Sequence, residues 1–108
     1  MNYTINYYDE KVQADILSLP PTLLARYISL TERMLIVGSN LGEPHTKSFG
    51  DGLLELRLKG SEGIGRVFYG TLVGQRIIML HSFVKKTQKM PSQELNTALQ
   101  RLKEIKNA

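Results

Sequence analysis

The chain has 108 residues, 42% hydrophobic and 22% charged, with a formal net charge of +4 and no cysteine. That length supports one hydrophobic core without staples, and the composition excludes a disordered chain, so a single domain over residues 1–108 is expected. The missing cysteines exclude disulfides and thiolate chemistry, and no apolar run reaches the roughly 18–20 residues that span a bilayer, so no membrane partner is expected.

The first residues, MNYTINYYDEK, lack the charged start and apolar run of a signal peptide. A cytoplasmic protein, bacterial or prophage-encoded, is the expectation. Tyr3-Thr4-Ile5-Asn6-Tyr7-Tyr8 is aromatic and β-branched and reads as a strand. Asp9 is placed to cap a short helix over Glu10 to Leu17, which Leu19-Pro20-Pro21 must end. Pro21 then opens a longer helix whose apolar positions, Leu23, Leu24, Tyr27, Ile28, Met34 and Leu35, follow three-and-four spacing, with Gly38 as its stop. Residues 38–52 carry four glycines and a proline and read as loop, with His45 as a solvated loop histidine.

Residues 53–86 hold three strand-like segments with joins too short for crossover helices, which predicts an antiparallel meander. In the first, Leu54, Leu56 and Leu58 alternate with Glu55, Arg57 and Lys59, so one face goes to the core and the other to solvent. The second carries Arg66 among Val67, Phe68 and Tyr69. The third, Ile77-Ile78-Met79-Leu80, is apolar on both parities, as a central strand covered on both faces would be. By simple alternation, His81, Phe83 and Lys85 share a face with Met79. Gly60-Ser-Glu-Gly63 reads as a turn. Pro91 opens a last helix with Leu95, Ala98, Leu99, Leu102 and Ile105 as its apolar stripe. The expected fold is α+β in the order β-α-α-β-β-β-α, with a helical hairpin on the sheet and a C-terminal helix near its other face or an edge.

Charge is unevenly spread along the chain. Residues 1–52 balance at −2, residues 53–89 at +5 and residues 90–108 at +1. A positive sheet region on a near-neutral body suggests a polyanionic partner such as nucleic acid. The chain has no metal-ligand spacing and no phosphate-binding glycine loop, so no metal or cofactor is expected. What it offers is cations and proton-transfer groups: Arg57, Lys59, Arg66, Tyr69, His81, Lys85 and Lys86. Gathered in one place, they could support RNA cleavage. A base would take the 2′-hydroxyl proton, arginines would grip the charged phosphate, and Phe83 or Tyr69 would stack on a base. The plainer reading makes the arginines solvated strand residues and His81 a satisfied core histidine.

Several of these runs are familiar together: Asp51-Gly52 followed by Glu55-Leu56-Arg57, then Arg66-Val67-Phe68-Tyr69, then Leu80-His81-Ser82-Phe83-Val84-Lys85-Lys86-Thr87, then Pro91-Ser92-Gln93-Glu94-Leu95 and Ala98. In this order they resemble the phage-derived HigB-like branch of the RelE/ParE toxin superfamily, with Phe83-Val84-Lys85-Lys86-Thr87 the most specific part. The resemblance implies the toxin of a type II toxin–antitoxin pair, a ribosome-dependent endoribonuclease that cuts translated mRNA. Its implied partners are the ribosome, mRNA and a small helix-turn-helix antitoxin.

Carried onto this chain, the resemblance makes Arg57 and Arg66 the phosphate and transition-state contacts and Lys85 and Lys86 contacts to RNA or ribosome. Joined to the chemistry of the residues themselves, this makes Arg57, Arg66, Lys85 and His81 the catalytic candidates and Lys59, Arg76, Phe83, Lys86 and Lys89 the candidates for RNA or ribosome contact. The tyrosine that some such toxins keep near the C-terminus has no counterpart, because no tyrosine follows Tyr69. Two other functions use the same fold: inhibition of DNA gyrase, as in the ParE branch, and partner binding by a phage protein without toxicity.

Overall fold

A computed structural model describes residues 2–85 and 91–107. Strand β1 (Thr4–Tyr7) leads into helices α1 (Glu10–Leu17) and α2 (Pro21–Val37). Strands β2 (Thr46–Ser48), β3 (Leu53–Gly60), β4 (Gly63–Leu72) and β5 (Arg76–Lys85) follow, and helix α3 (Ser92–Lys106) comes last. The five strands form one sheet in the order β1-β5-β4-β3-β2.

The predicted meander is β3-β4-β5, antiparallel throughout. Two features depart from the expected antiparallel sheet. β1 adds in parallel beside β5, so the sheet is mixed. β2 arises inside the segment read as loop and pairs antiparallel with β3. Three residues among glycines carry too little periodicity to announce a strand. The partner edge of β3 supplies the hydrogen bonds that make it one.

Asp9 caps α1 as expected, its Oδ1 accepting from the Val12 N–H at 2.8 Å. The start of α2 is capped from a distance. Pro20 has no side-chain acceptor to offer, and Glu62, in the β3–β4 turn, accepts from the Thr22 N–H at 2.7 Å and from the Thr22 hydroxyl. A carboxylate there satisfies an orphan donor and complements the positive end of the helix dipole. The Gly60–Gly63 turn therefore also fastens α2 to the sheet.

The sheet carries a core on each face. Against α1 and α2 it buries Leu56, Leu58, Val67, Tyr69, Ile77 and Met79, with Val12, Ile16, Leu23, Tyr27, Leu30 and Met34 from the helices. On the other face Leu53, Phe68, Ile78 and Leu80 meet Ala98 and Leu102 of α3. β5, flanked by β1 and β4, contributes to both cores, which explains an apolar run on both parities. α3 sits close because Gly70 has no side chain: a Cβ there would lie 2.6 Å from Leu102 Cδ1. Among the described residues, no helix is long and apolar enough to cross a membrane.

Candidate functional site

A β-bulge sets the geometry of the site. Tyr69 pairs with Met79 but Phe68 pairs with His81, leaving Leu80 as an extra residue on β5. Before the bulge, Ile77 and Met79 face the helical hairpin. After it, His81, Phe83 and Lys85 stand opposite Phe68, Arg66 and Ile64, on the α3 face, while Val84 packs into the hairpin core. The alternation expected to join these three residues to Met79 is thereby corrected. The phase change falls within Ile77–Leu80, where both parities are apolar and nothing in the sequence marks it.

The first meander strand brings Glu55 and Arg57 to this same face, with Arg57 directly across from Arg66. Glu55, expected in solvent, is 1% exposed. Arg57 Nε donates to Glu55 Oε1 at 3.2 Å, whereas Arg66 Nε stands 3.8 Å from Glu55 Oε2, an ion pair without a hydrogen bond. Arg66 is 7% exposed, and its Nε and Nη1 are buried with no hydrogen-bond partner among the described residues. Glu55 Oε2 is unpartnered in the same way. Leaving a buried donor unpaired costs about 1–3 kcal/mol, so an anion able to engage this guanidinium would recover that cost.

Burial holds the Arg66 guanidinium below its ordinary pKa. Glu55 opposes that shift and Arg57 adds to it. Lys85 is also lowered, first by desolvation, then by repulsion from Arg66, with Arg57 and Lys47 adding to it and Glu55 opposing. The cluster thus sets Lys47, Arg57, Arg66 and Lys85 around the carboxylate of Glu55. Lys47 comes from β2, across from Glu55, and it is not among the sequence candidates because its segment has the composition of a loop.

The Lys85 amine is expected to titrate below the ordinary 10.5. Arg66→Ala should raise its midpoint, since the change removes the strongest of these repelling charges and admits water. Between the folded midpoint and that of the unfolded chain, the unfolded chain binds more protons, so stability rises with pH across that interval. Following the Lys85 Nζ resonance by NMR through alkaline pH checks this, and an unmoved midpoint in the variant would count against the coupling.

An aromatic ladder floors the cluster. Phe68 meets Phe49 edge-on at 5.5 Å and stacks on Phe83 at 5.9 Å, and His81 stacks on Phe83 at 6.1 Å. Lys47 Nζ lies 5.2 Å from the Phe49 ring centroid, a cation–π contact. His81 Nε2 lies 3.1 Å from Glu94 Oε1 of α3. In the tautomer whose Nε2–H donates to Glu94, the acceptor nitrogen of the ring is Nδ1.

Other candidates lie elsewhere. Tyr69 is buried in the hairpin core on the opposite face, donating to the Ser39 carbonyl at 2.5 Å, and burial raises its pKa. It can neither stack on a base nor act as one from there. Arg76 is exposed at the far end of β5, about 30 Å along the strand from Lys85 at roughly 3.3 Å per residue, with its Nε 3.4 Å from the Val73 carbonyl. Lys59 is exposed two residues beyond Arg57, at the end of β3. Lys86 and Lys89 lie outside the described residues.

The family described as phage derived protein Gp49-like (DUF891) matches residues 14–103, from within α1 to the last turn of α3. No curated protein matches the chain. The matched stretch contains every strand of the meander and every side chain of the cluster, and the chain belongs to this Gp49-like family of phage-derived proteins, a RelE-like toxin family.

Proposed function

We propose that the protein is the toxin of a type II toxin–antitoxin pair and cuts translated mRNA on the ribosome. The observation that supports this reading is Arg66, a buried cation whose Nε and Nη1 are unpaired among the described residues, set between Arg57 on one strand and Phe83 on the other. A guanidinium with free donors suits a phosphate as it gains charge in the transition state.

In the proposed step, a base removes the proton of a ribose 2′-hydroxyl, and the oxygen attacks the adjacent phosphorus. The P–O5′ bond breaks, the leaving 5′-oxygen takes a proton from an acid, and a 2′,3′-cyclic phosphate remains. His81 and Lys85 flank Phe83 on the same face and can serve as proton-transfer groups. The lowered Lys85 offers a neutral amine more readily than an ordinary lysine does. Phe83, half-buried, is the stacking platform for a nucleobase. The neutralising partner would be a small antitoxin whose gene neighbours this one.

The test is induction of the chain in a bacterial host, with primer extension on abundant messages. Cleavage confined to translated codons is the expected result. Intact message with relaxed plasmid DNA would replace this reading with gyrase inhibition, and normal growth with intact message would leave a binding protein without toxicity.

A further inference from the structure

Beside the cluster, at the edge of the sheet, lies a second basic feature that shares Arg57 with it. β2 pairs only with Leu54–Leu56 of β3, so from Arg57 onward β3 runs on past it. Pro44 and His45 close over that edge, with the Arg57 N–H donating to the His45 carbonyl at 2.8 Å. Arg26 reaches the same place from the exposed side of α2. Together Arg26, Pro44, His45, Arg57 and Lys59 line a cleft of about 120 Å³.

Its lining carries three permanent cations and a histidine but no carboxylate. Among the described residues, neither Arg26 nor Lys59 makes a salt bridge with a carboxylate. Like charges gathered without a counterion repel, and an incoming oxyanion relieves that repulsion. The volume is about four times that of a water molecule in the liquid, which admits one tetrahedral oxyanion. Arg57 belongs to both places, bound to Glu55 on the sheet face and lining the cleft at the edge. The cations therefore form one track, Lys85, Arg66 and Arg57 to Lys59 and Arg26, which turns around the edge of β3.

We propose that this cleft binds a backbone phosphate of single-stranded RNA, a few nucleotides from the phosphate held at Arg66. The continuity through Arg57 argues for a polynucleotide, whose charges recur along a strand, over an isolated anion. Identifying the ligand as RNA rests on the nuclease reading above, but phosphate binding by the cleft does not. It also gives His45 a ligand-facing place, where sequence spacing left it without a partner.

The experiment uses the full chain and an Arg26→Ala/Lys59→Ala double variant, both positions exposed and outside the two cores. Inorganic phosphate followed by amide NMR should shift Arg26, His45 and Lys59 in the parent chain, and those shifts should vanish in the double variant. With a twelve-nucleotide oligouridylate, the slope of log affinity against log salt should fall in magnitude by about 0.7, the value for one lost phosphate contact on a single strand. Unmoved amides or an unchanged slope would overturn the cleft proposal, as would competition for phosphate by a polyglutamate peptide but not by oligouridylate. If phosphate binds the cleft and the slope falls while mRNA stays intact in the host, the cleft stands and the nuclease reading fails. If message is cut and the slope is unchanged, the cleft alone fails.

Discussion

Replacing Arg66 with alanine is expected to lower mRNA cleavage by about 10²–10³-fold, the usual effect of deleting one preorganised donor aimed at developing charge. The side chain is suited to such an effect because its surroundings do not satisfy it. Glu55 lies 3.8 Å away without a hydrogen bond, and among the described residues the buried Nε and Nη1 have no hydrogen-bond partner. In the host this loss should appear as abolished growth arrest, with antitoxin binding retained in a pull-down. Arg66→Lys should restore little, since a single ammonium cannot grip two phosphate oxygens as a planar fork does. Growth arrest that survives both Arg66→Ala and Lys85→Ala would sink the nuclease reading.

The second large effect is on stability. Glu55→Ala is expected to destabilise the fold by about 3–5 kcal/mol, because it strips the counterion from a buried arginine and leaves two guanidiniums facing each other across β3 and β4. Glu55→Gln should cost less, since the amide oxygen can still accept from Arg57 Nε. Replacing both members of the buried pair, as in Glu55→Leu/Arg66→Met, should recover most of the loss, because apolar side chains of similar volume suit such a site. Urea midpoints for the two single variants and the pair would decide the matter. A double variant as unstable as Glu55→Ala would mean that the carboxylate acts through something other than Arg66. The two outcomes would separate a proposed ligand-binding role for Arg66 from a structural role for Glu55 as its counterion.

Much of the architecture was legible from the residues alone. Asp9, Pro21 and Gly38 bound the helices where local chemistry puts them, and the Leu54-Leu56-Leu58 alternation assigned one face of β3 to the hairpin. Missed features depended on partners distant in sequence. β2 is a strand only because β3 offers an edge, and Glu62 caps α2 across 40 positions of chain. Glu55 looked like a solvent-facing acid because period-two patterning cannot tell water from the underside of two arginines.

The sequence by itself determined which residue types this face would carry: arginines on neighbouring strands, two proton-transfer groups around a phenylalanine, and an excess of cations. It also determined the helices, whose signals are local. Only the tertiary structure decided that these side chains meet, because a single extra residue at Leu80 turns His81, Phe83 and Lys85 away from Met79 and toward Arg66. The register between strands is set by hydrogen bonds and packing across the sheet, and alternation within one strand carries no record of where its neighbour's phase slips.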